Sequence, residues 1–174
     1  MTDSEKPAQT PEEPTAFRRT DYSGAVYGSM LAASVVAAAA AAGDLSAPQL
    51  ALMLIVTGLV FWAAHVYARL TGERRLGTGR GWSWEEARAV ARHEWALVEA
   101  AILPAAAVLI GSALGLSRTG AAWLALAIAV TQQVAWACVG AVRAEVPRPQ
   151  VALEGLINLL LGLIIVVAKV AVGH

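Results

Sequence analysis

Cysteine, lysine and charge are all scarce in this chain of 174 residues. Its single cysteine, Cys138, lies inside an apolar run and has no second thiol with which to form an internal disulfide. Charged residues make up 15% of the chain and apolar residues 57%, against about 25% and about 45–50% in soluble globular domains. The formal net charge is zero, so no global positive field indicates nucleic acid as a partner. This balance is typical of a chain surrounded by lipid.

The motifs of common enzymes are also missing. The sequence has no Walker loop, dinucleotide-binding fingerprint, GxSxG nucleophile, paired CxxC or HExxH motif. We therefore expect no enzyme activity and no cofactor. Four residues have imidazole or carboxylate groups that suit Fe, Mn or Zn, and they are His65, His93, Glu94 and Glu99. Their spacing does not define a metal site, so metal binding stays open.

Five apolar runs are each near the length of about 20 residues that a helix needs to cross about 30 Å of hydrocarbon. Every backbone polar group in hydrocarbon must be bonded internally, so such runs must be helical. We predict spans over residues 24–42, 49–70, 95–116, 121–142 and 151–172. The fold class predicted is all-α, a polytopic transmembrane bundle of five spans over residues 21–174.

The segments outside the spans are polar. Residues 1–20 are rich in proline and glutamate and are predicted to form a disordered cytoplasmic tail. In the segment 71–94, Ser83 and Glu86 have the spacing of a capping box. A short helix over residues 84–94, with tryptophan and arginine side by side, is predicted to lie in the headgroup region.

Arginine is distributed unevenly between the loops. Six arginines follow the second span and two follow the fourth, whereas the loop after the first span has none and the loop after the third has only Arg118. Because positive charge concentrates on the cytoplasmic side, this alternation predicts a cytoplasmic N-terminus and a C-terminus outside. Much alanine and little lysine favour a GC-rich bacterial genome, hence a multi-pass protein of the bacterial plasma membrane.

Polar side chains within the spans concentrate in the predicted cytoplasmic half. An ionisable group at such depth costs roughly 2.5–3.5 kcal/mol, so these groups tend to face one another or a wet cavity. Pro104 adds a free acceptor, because it leaves the carbonyl of Ala100 without its helical donor. We predict a cytoplasm-facing pocket formed by His65, Glu99, Gln132, Gln133, Glu154 and Asn158.

Structural alternatives stand beside most of these assignments. His65 would hydrogen-bond a neighbouring helix, and Glu99 would pair with His65 or Arg69. Gln132 and Gln133 would form hydrogen bonds between helices.

Interfacial charges offer a second alternative. Glu154 would be a charge near a helix N-terminus. His93 and Glu94 would be solvated at the interface, and Lys169, near the outer end, would extend toward water.

Small residues recur at fourfold spacing along the first span. They form two faces, Gly24, Gly28 and Ala32, and Ser29, Ala33, Ala37 and Ala41. Such faces permit close backbone approach, so this helix is predicted to be central or to form a dimer contact.

Three stretches carry a family likeness: Asp21 to Ser29, Phe61 to Tyr67 and His93 to Ala100. In them the chain resembles small integral membrane proteins of actinobacteria for which no activity is assigned. In its architecture it is similar to proteins of the vacuolar iron transporter type, and Gly155 to Val172 looks like their final helix. That resemblance implies five spans, a cytoplasmic N-terminus and a dimer. The segment 71–94 lacks their rich set of carboxylates, so no metal ligand is carried over.

These observations lead to two hypotheses of function. The first is a channel or transporter for an ion or proton, in which His65 belongs to the residue type that changes charge near neutral pH. The alternative is a non-catalytic membrane scaffold or a partner subunit of a membrane complex. The partners expected are the lipid bilayer, a small cation or proton, and a second copy of the chain.

Overall fold

The computed structural model describes residues 22–42, 45–72 and 81–172. Within these ranges the regular structure consists of six helices: α1 (Tyr22–Ala42), α2 (Ala47–Gly72), α3 (Trp84–His93), α4 (Ala96–Ala113), α5 (Arg118–Arg143) and α6 (Arg148–Val172). Five of them, all except α3, are long and apolar enough to cross a membrane. The all-α class and the five helices of spanning length are confirmed, and they indicate a multi-pass membrane protein. The predicted tail, residues 1–20, lies outside the described residues.

Helix α1 is the centre of the bundle. Helices α2, α4, α5 and α6 lie side by side in that order, and α1 packs against all four of them, while α3 packs against α2. The face of α1 that enters the core consists largely of small residues, among them Gly28, Ser29, Ala32 and Ala33. Because small side chains let backbones approach closely, they give α1 its central place.

Proline and glycine explain two of the helix ends that differ from those predicted. Helix α6 begins at Arg148, three residues earlier than expected, because Pro149 is tolerated in the first turn, where its missing N–H has no helical acceptor. Helix α4 ends at Ala113 instead of residue 116. There Gly115 adopts a φ of 85°, and the N–H of Leu116 donates to the carbonyl of Gly111 at 3.0 Å. This left-handed turn closes the helix.

The predicted capping box is confirmed at the start of α3. The N–H of Glu86 donates to Ser83 Oγ at 3.1 Å, and the N–H of Ser83 donates to Glu86 Oε2 at 2.8 Å. The helix ends at His93, one residue earlier than predicted. Trp84 is 80% exposed, as expected for a side chain at a headgroup layer.

Gly28 allows α1 and α4 to touch. A Cβ atom at this position would stand 2.8 Å from Ala100 Cβ and 3.0 Å from the carbonyl oxygen of Leu97. Gly24, one turn earlier, leaves 3.7 Å to Ala96 Cβ, which is ordinary contact. The two glycines therefore differ in whether α4 tolerates a methyl group.

We expect Gly28→Ala to lower the thermal unfolding temperature of the detergent-purified protein, measured by circular dichroism. Overpacking of about 1–3 kcal/mol exceeds the gain of about 1 kcal/mol that alanine brings to a helix. Gly24→Ala is the matched control and should leave the midpoint unchanged or raise it. A Gly28→Ala protein as stable as the control would show that this contact is looser than described.

Candidate functional site

Gln132 joins three helices at the centre of the bundle. Its Nε2 donates to Ser29 Oγ of α1 at 3.1 Å and to the carbonyl oxygen of Ala100 of α4 at 3.2 Å. The Ser29 hydroxyl in turn donates to the carbonyl oxygen of Ala25 at 2.8 Å. The Ala100 carbonyl is the one that Pro104 leaves without a helical donor. A side chain of α5 thus replaces the hydrogen bond that α4 cannot make for itself.

Gln133 joins α5 to α6. Its side chain is fully buried, and Nε2 donates to the carbonyl oxygen of Asn158 at 3.1 Å and to Asn158 Oδ1 at 3.3 Å. Asn158 Nδ2 donates to the backbone carbonyl of Glu154 at 3.0 Å, which leaves the Glu154 carboxylate outside the network. Adjacent residues of a helix point about 100° apart, which is why neighbouring glutamines serve different helices.

His65 of α2 packs against α1. Its ring stacks at an angle on Tyr27 of α1, with centroids 5.4 Å apart. Its Nδ1 lies 3.0 Å from the carbonyl oxygen of Phe61, so a proton on Nδ1 makes it the donor of this bond.

These six polar side chains form three separate contacts, Tyr27 with His65, Ser29 with Gln132, and Gln133 with Asn158. Together they are here named the polar belt. Two of its atoms, Oε1 of Gln132 and Oε1 of Gln133, are buried and have no hydrogen-bond partner among the described residues. Leaving such an acceptor unpaired costs about 1–3 kcal/mol. The belt is therefore only partly satisfied by the chain itself.

The two carboxylates of the predicted pocket, those of Glu99 and Glu154, are exposed on the surface of the single chain. Glu99 lies in the first turn of α4, where the helix dipole favours a negative charge. Glu154 is six residues beyond the start of α6, about 9 Å along the helix axis, so the dipole explanation offered by the sequence does not apply to it. The structure thus joins Gln133 to Asn158 but pairs His65 with Tyr27 and Gln132 with Ser29, and it leaves both carboxylates exposed.

Glu94 was predicted to be solvated, and this is wrong. It is 6% exposed, and its Oε1 accepts a charged hydrogen bond from Arg69 Nε at 2.8 Å. Arg69 thus pairs with Glu94. Beside this pair, Trp62 Nε1 donates to the carbonyl oxygen of Ala91 at 2.8 Å, and both contacts fasten α3 and its end to α2.

Metal ligands are not gathered in the part of the chain that the structure describes. No three histidine, cysteine, aspartate or glutamate side chains within it stand close enough to hold an ion together. The four residues whose chemistry suits a transition metal therefore do not form a common site there.

The burial of Lys169, near the end of α6, was not predicted from the sequence. Instead of extending toward water the residue is 8% exposed, and its Nζ lies 3.8 Å from the centroid of the Trp123 ring. The one signal available was that a lysine stands alone in an apolar span.

No family model, no curated protein and no solved structure matches this chain. The fold itself defines the class: an all-α protein with five helices that could cross a membrane. The likenesses drawn from short stretches of sequence stay predictions.

We expect Gln132→Leu to destabilise the protein by about 1–3 kcal/mol, because it strands the Ala100 carbonyl. Pro104→Ala supplies an N–H that can serve this carbonyl within α4, so the same leucine should be tolerated better in that background. A double-mutant cycle from unfolding in detergent measures this coupling, with the exposed neighbour Thr131→Leu as the control. Equal losses in both backgrounds would contradict the role assigned to Gln132.

Proposed function

We propose that this chain transports a proton or a small cation across the bacterial plasma membrane, and that the ion passes the polar belt. The observation that carries the proposal is the pair of buried amide oxygens, Gln132 Oε1 and Gln133 Oε1, that lack a partner among the described residues. Polar groups inside a membrane are costly and mark ion pathways. Carbonyl-type oxygens can replace the water around a cation.

The position of the belt supports access from one side. Ser29 lies seven residues after the start of α1 and thirteen before its end, or about 10 Å and about 20 Å along the axis. The nearer end of the bundle is rich in arginine: Arg69, Arg88, Arg92, Arg143 and Arg148. By the positive-inside rule this end faces the cytoplasm, which makes the belt a cytoplasm-facing site.

The test is ion flux into liposomes that contain the purified full-length chain. We expect flux above empty vesicles for at least one of H⁺, K⁺, Na⁺, Mn²⁺ and Fe²⁺. Gln133→Met keeps the volume of the side chain but removes its amide, and it should lower this flux at least about tenfold, since the pathway loses a polar group.

Gln150→Met is the matched control, because Gln150 is exposed at the start of α6 and lies outside the belt. It should transport like the wild type. Flux equal to that of empty vesicles for every ion, over a range of pH and voltage, would refute the proposal. Equal flux in both methionine variants would remove the belt from the pathway.

A second candidate is a membrane scaffold or partner subunit, and the surface of α6 favours it. Only 11% of the most apolar window of α6 is buried, against 44% for α1, and Glu154 stands exposed within it. A carboxylate at such a place is less costly when another protein covers it. A second copy of the chain, as in a homo-oligomer, is one way to cover it.

Isolation of the tagged chain from native membranes in mild detergent tests this second candidate. We expect a stoichiometric companion, another protein or a second copy, that is retained by the wild type and lost from Glu154→Leu. The exposed neighbour variant Leu153→Ala should keep the companion. Recovery of the monomeric chain alone in every detergent would rule out the scaffold role.

A further inference from the structure

Two cavities meet at the end of the bundle where α5 begins and α6 ends. The first has a volume of about 320 Å³ and is lined by residues of α1, α2, α5 and α6, including Arg118, Thr119, Trp123 and Lys169. The second, of about 360 Å³, lies between α1 and α6. Ala41 and Lys169 line both cavities, so the two cavities are adjacent. None of the six residues of the predicted pocket lines either of them.

No described residue offers Lys169 a hydrogen-bond acceptor. The residue is 8% exposed, and the Nζ atom is buried. The face of Trp123 offers a cation–π contact at 3.8 Å, but an aromatic ring does not satisfy three N–H donors. A desolvated ammonium without an acceptor would be stabilised by a bound anion.

The first cavity, here named the cationic cavity, has the other features of an anion site. Arg118 brings a second positive charge, and no carboxylate occurs in its described lining. Helix α5 begins here: Ser117 Oγ accepts from the N–H of Gly120 at 3.1 Å. The N–H groups of Arg118 and Thr119 in the first turn have no acceptor within the helix, and such groups favour phosphate.

The second cavity, here named the apolar groove, continues from Lys169 along α1 and α6. Apart from Lys169 its lining is small or apolar: Ser34, Ala37, Ala38, Ala41, Ile164, Ile165 and Ala168. From Ser34 to Ala41 it follows seven residues of α1, or about 10 Å along the axis. A groove of this kind beside a cationic cavity fits a molecule with an anionic head and a hydrocarbon tail.

We propose that this site binds an anionic phospholipid. The phosphate lies in the cationic cavity between Lys169 and Arg118, and an acyl chain fills the apolar groove. The proposal does not depend on ion transport by the polar belt, which lies nearer the opposite end of the bundle. In the orientation proposed above, the lipid comes from the outer leaflet.

Native mass spectrometry of the detergent-solubilised full-length chain tests this site with phosphatidylglycerol and phosphatidylcholine as probes. We expect phosphatidylglycerol to bind at least about tenfold more tightly, because its uncompensated negative charge pairs with a buried ammonium. Lys169→Met keeps the apolar stem and should bring the two affinities together. Arg118→Gln should weaken the preference in the same direction, so the result does not depend on the folding of one variant.

Arg143→Gln is the matched control. Arg143 also lies over an aromatic ring, 5.9 Å from the centroid of Tyr22, but at the other end of the bundle, and its loss should leave the preference unchanged. No preference in the wild type, or the same preference in Lys169→Met, would overturn the proposal.

Two further measurements separate a lipid from a free anion. Ala168→Trp fills the apolar groove and should abolish tight binding of phosphatidylglycerol. Inorganic phosphate at millimolar concentration should not displace the lipid. Full displacement together with normal binding in Ala168→Trp would indicate a site for free phosphate and would overturn the assignment of a lipid.

An internal ion pair is the remaining competitor. Asp44 lies outside the described residues, next in sequence to Leu45 of the cavity lining. If Asp44 neutralised Lys169, the wild type would show no preference for phosphatidylglycerol and Asp44→Asn would acquire one, a result against the proposal. A preference already present in the wild type supports it.

Discussion

The hydrogen bond from Gln132 to the Ala100 carbonyl is the contact on which the centre of the bundle depends. Pro104 creates the need for it, since a proline cannot donate to the carbonyl four residues earlier. In an apolar interior an unpaired carbonyl is costly, so α4 has to find a donor on another helix. The same amide also binds Ser29, and Gly28 beside it lets α1 approach α4. One layer thereby fixes the positions of α1, α4 and α5 relative to one another.

Helix α5 contributes residues to both the cationic cavity and the polar belt. Trp123 lines the cationic cavity near its start, and Gln132 belongs to the polar belt nine residues later, about 13 Å along the axis. At both places a buried polar atom lacks a partner among the described residues, namely Lys169 Nζ at one and the glutamine oxygens at the other. The two sites differ in charge, and we therefore propose different ligands for them: an anionic head at one end and a proton or cation at the other.

Much of the fold followed from local rules. The spans were recognisable because lipid demands a continuous apolar run, and the start of α3 because Ser83 and Glu86 bond each other across a single turn. The helix ends were less accurate, because Pro149 could stand before a helix or in its first turn. The candidate site was predictable only as a set of positions along the helices. Glu99 and Glu154 lie at the positions expected, yet the rotation of their helices leaves both carboxylates exposed.

The sequence by itself determined the features that depend on neighbours within a few turns. These are the number of long apolar helices, their approximate limits, the capping box and the carbonyl freed by Pro104. Only the tertiary structure decided which side chains meet. The pairing of Arg69 with Glu94, that of Gln133 with Asn158, and the burial of Lys169 against Trp123 all join residues far apart in the chain. The physical reason is that close packing of small residues sets the rotation of each helix about its axis. An apolar run of sequence specifies the length of a helix far better than it specifies which side of the helix faces the core.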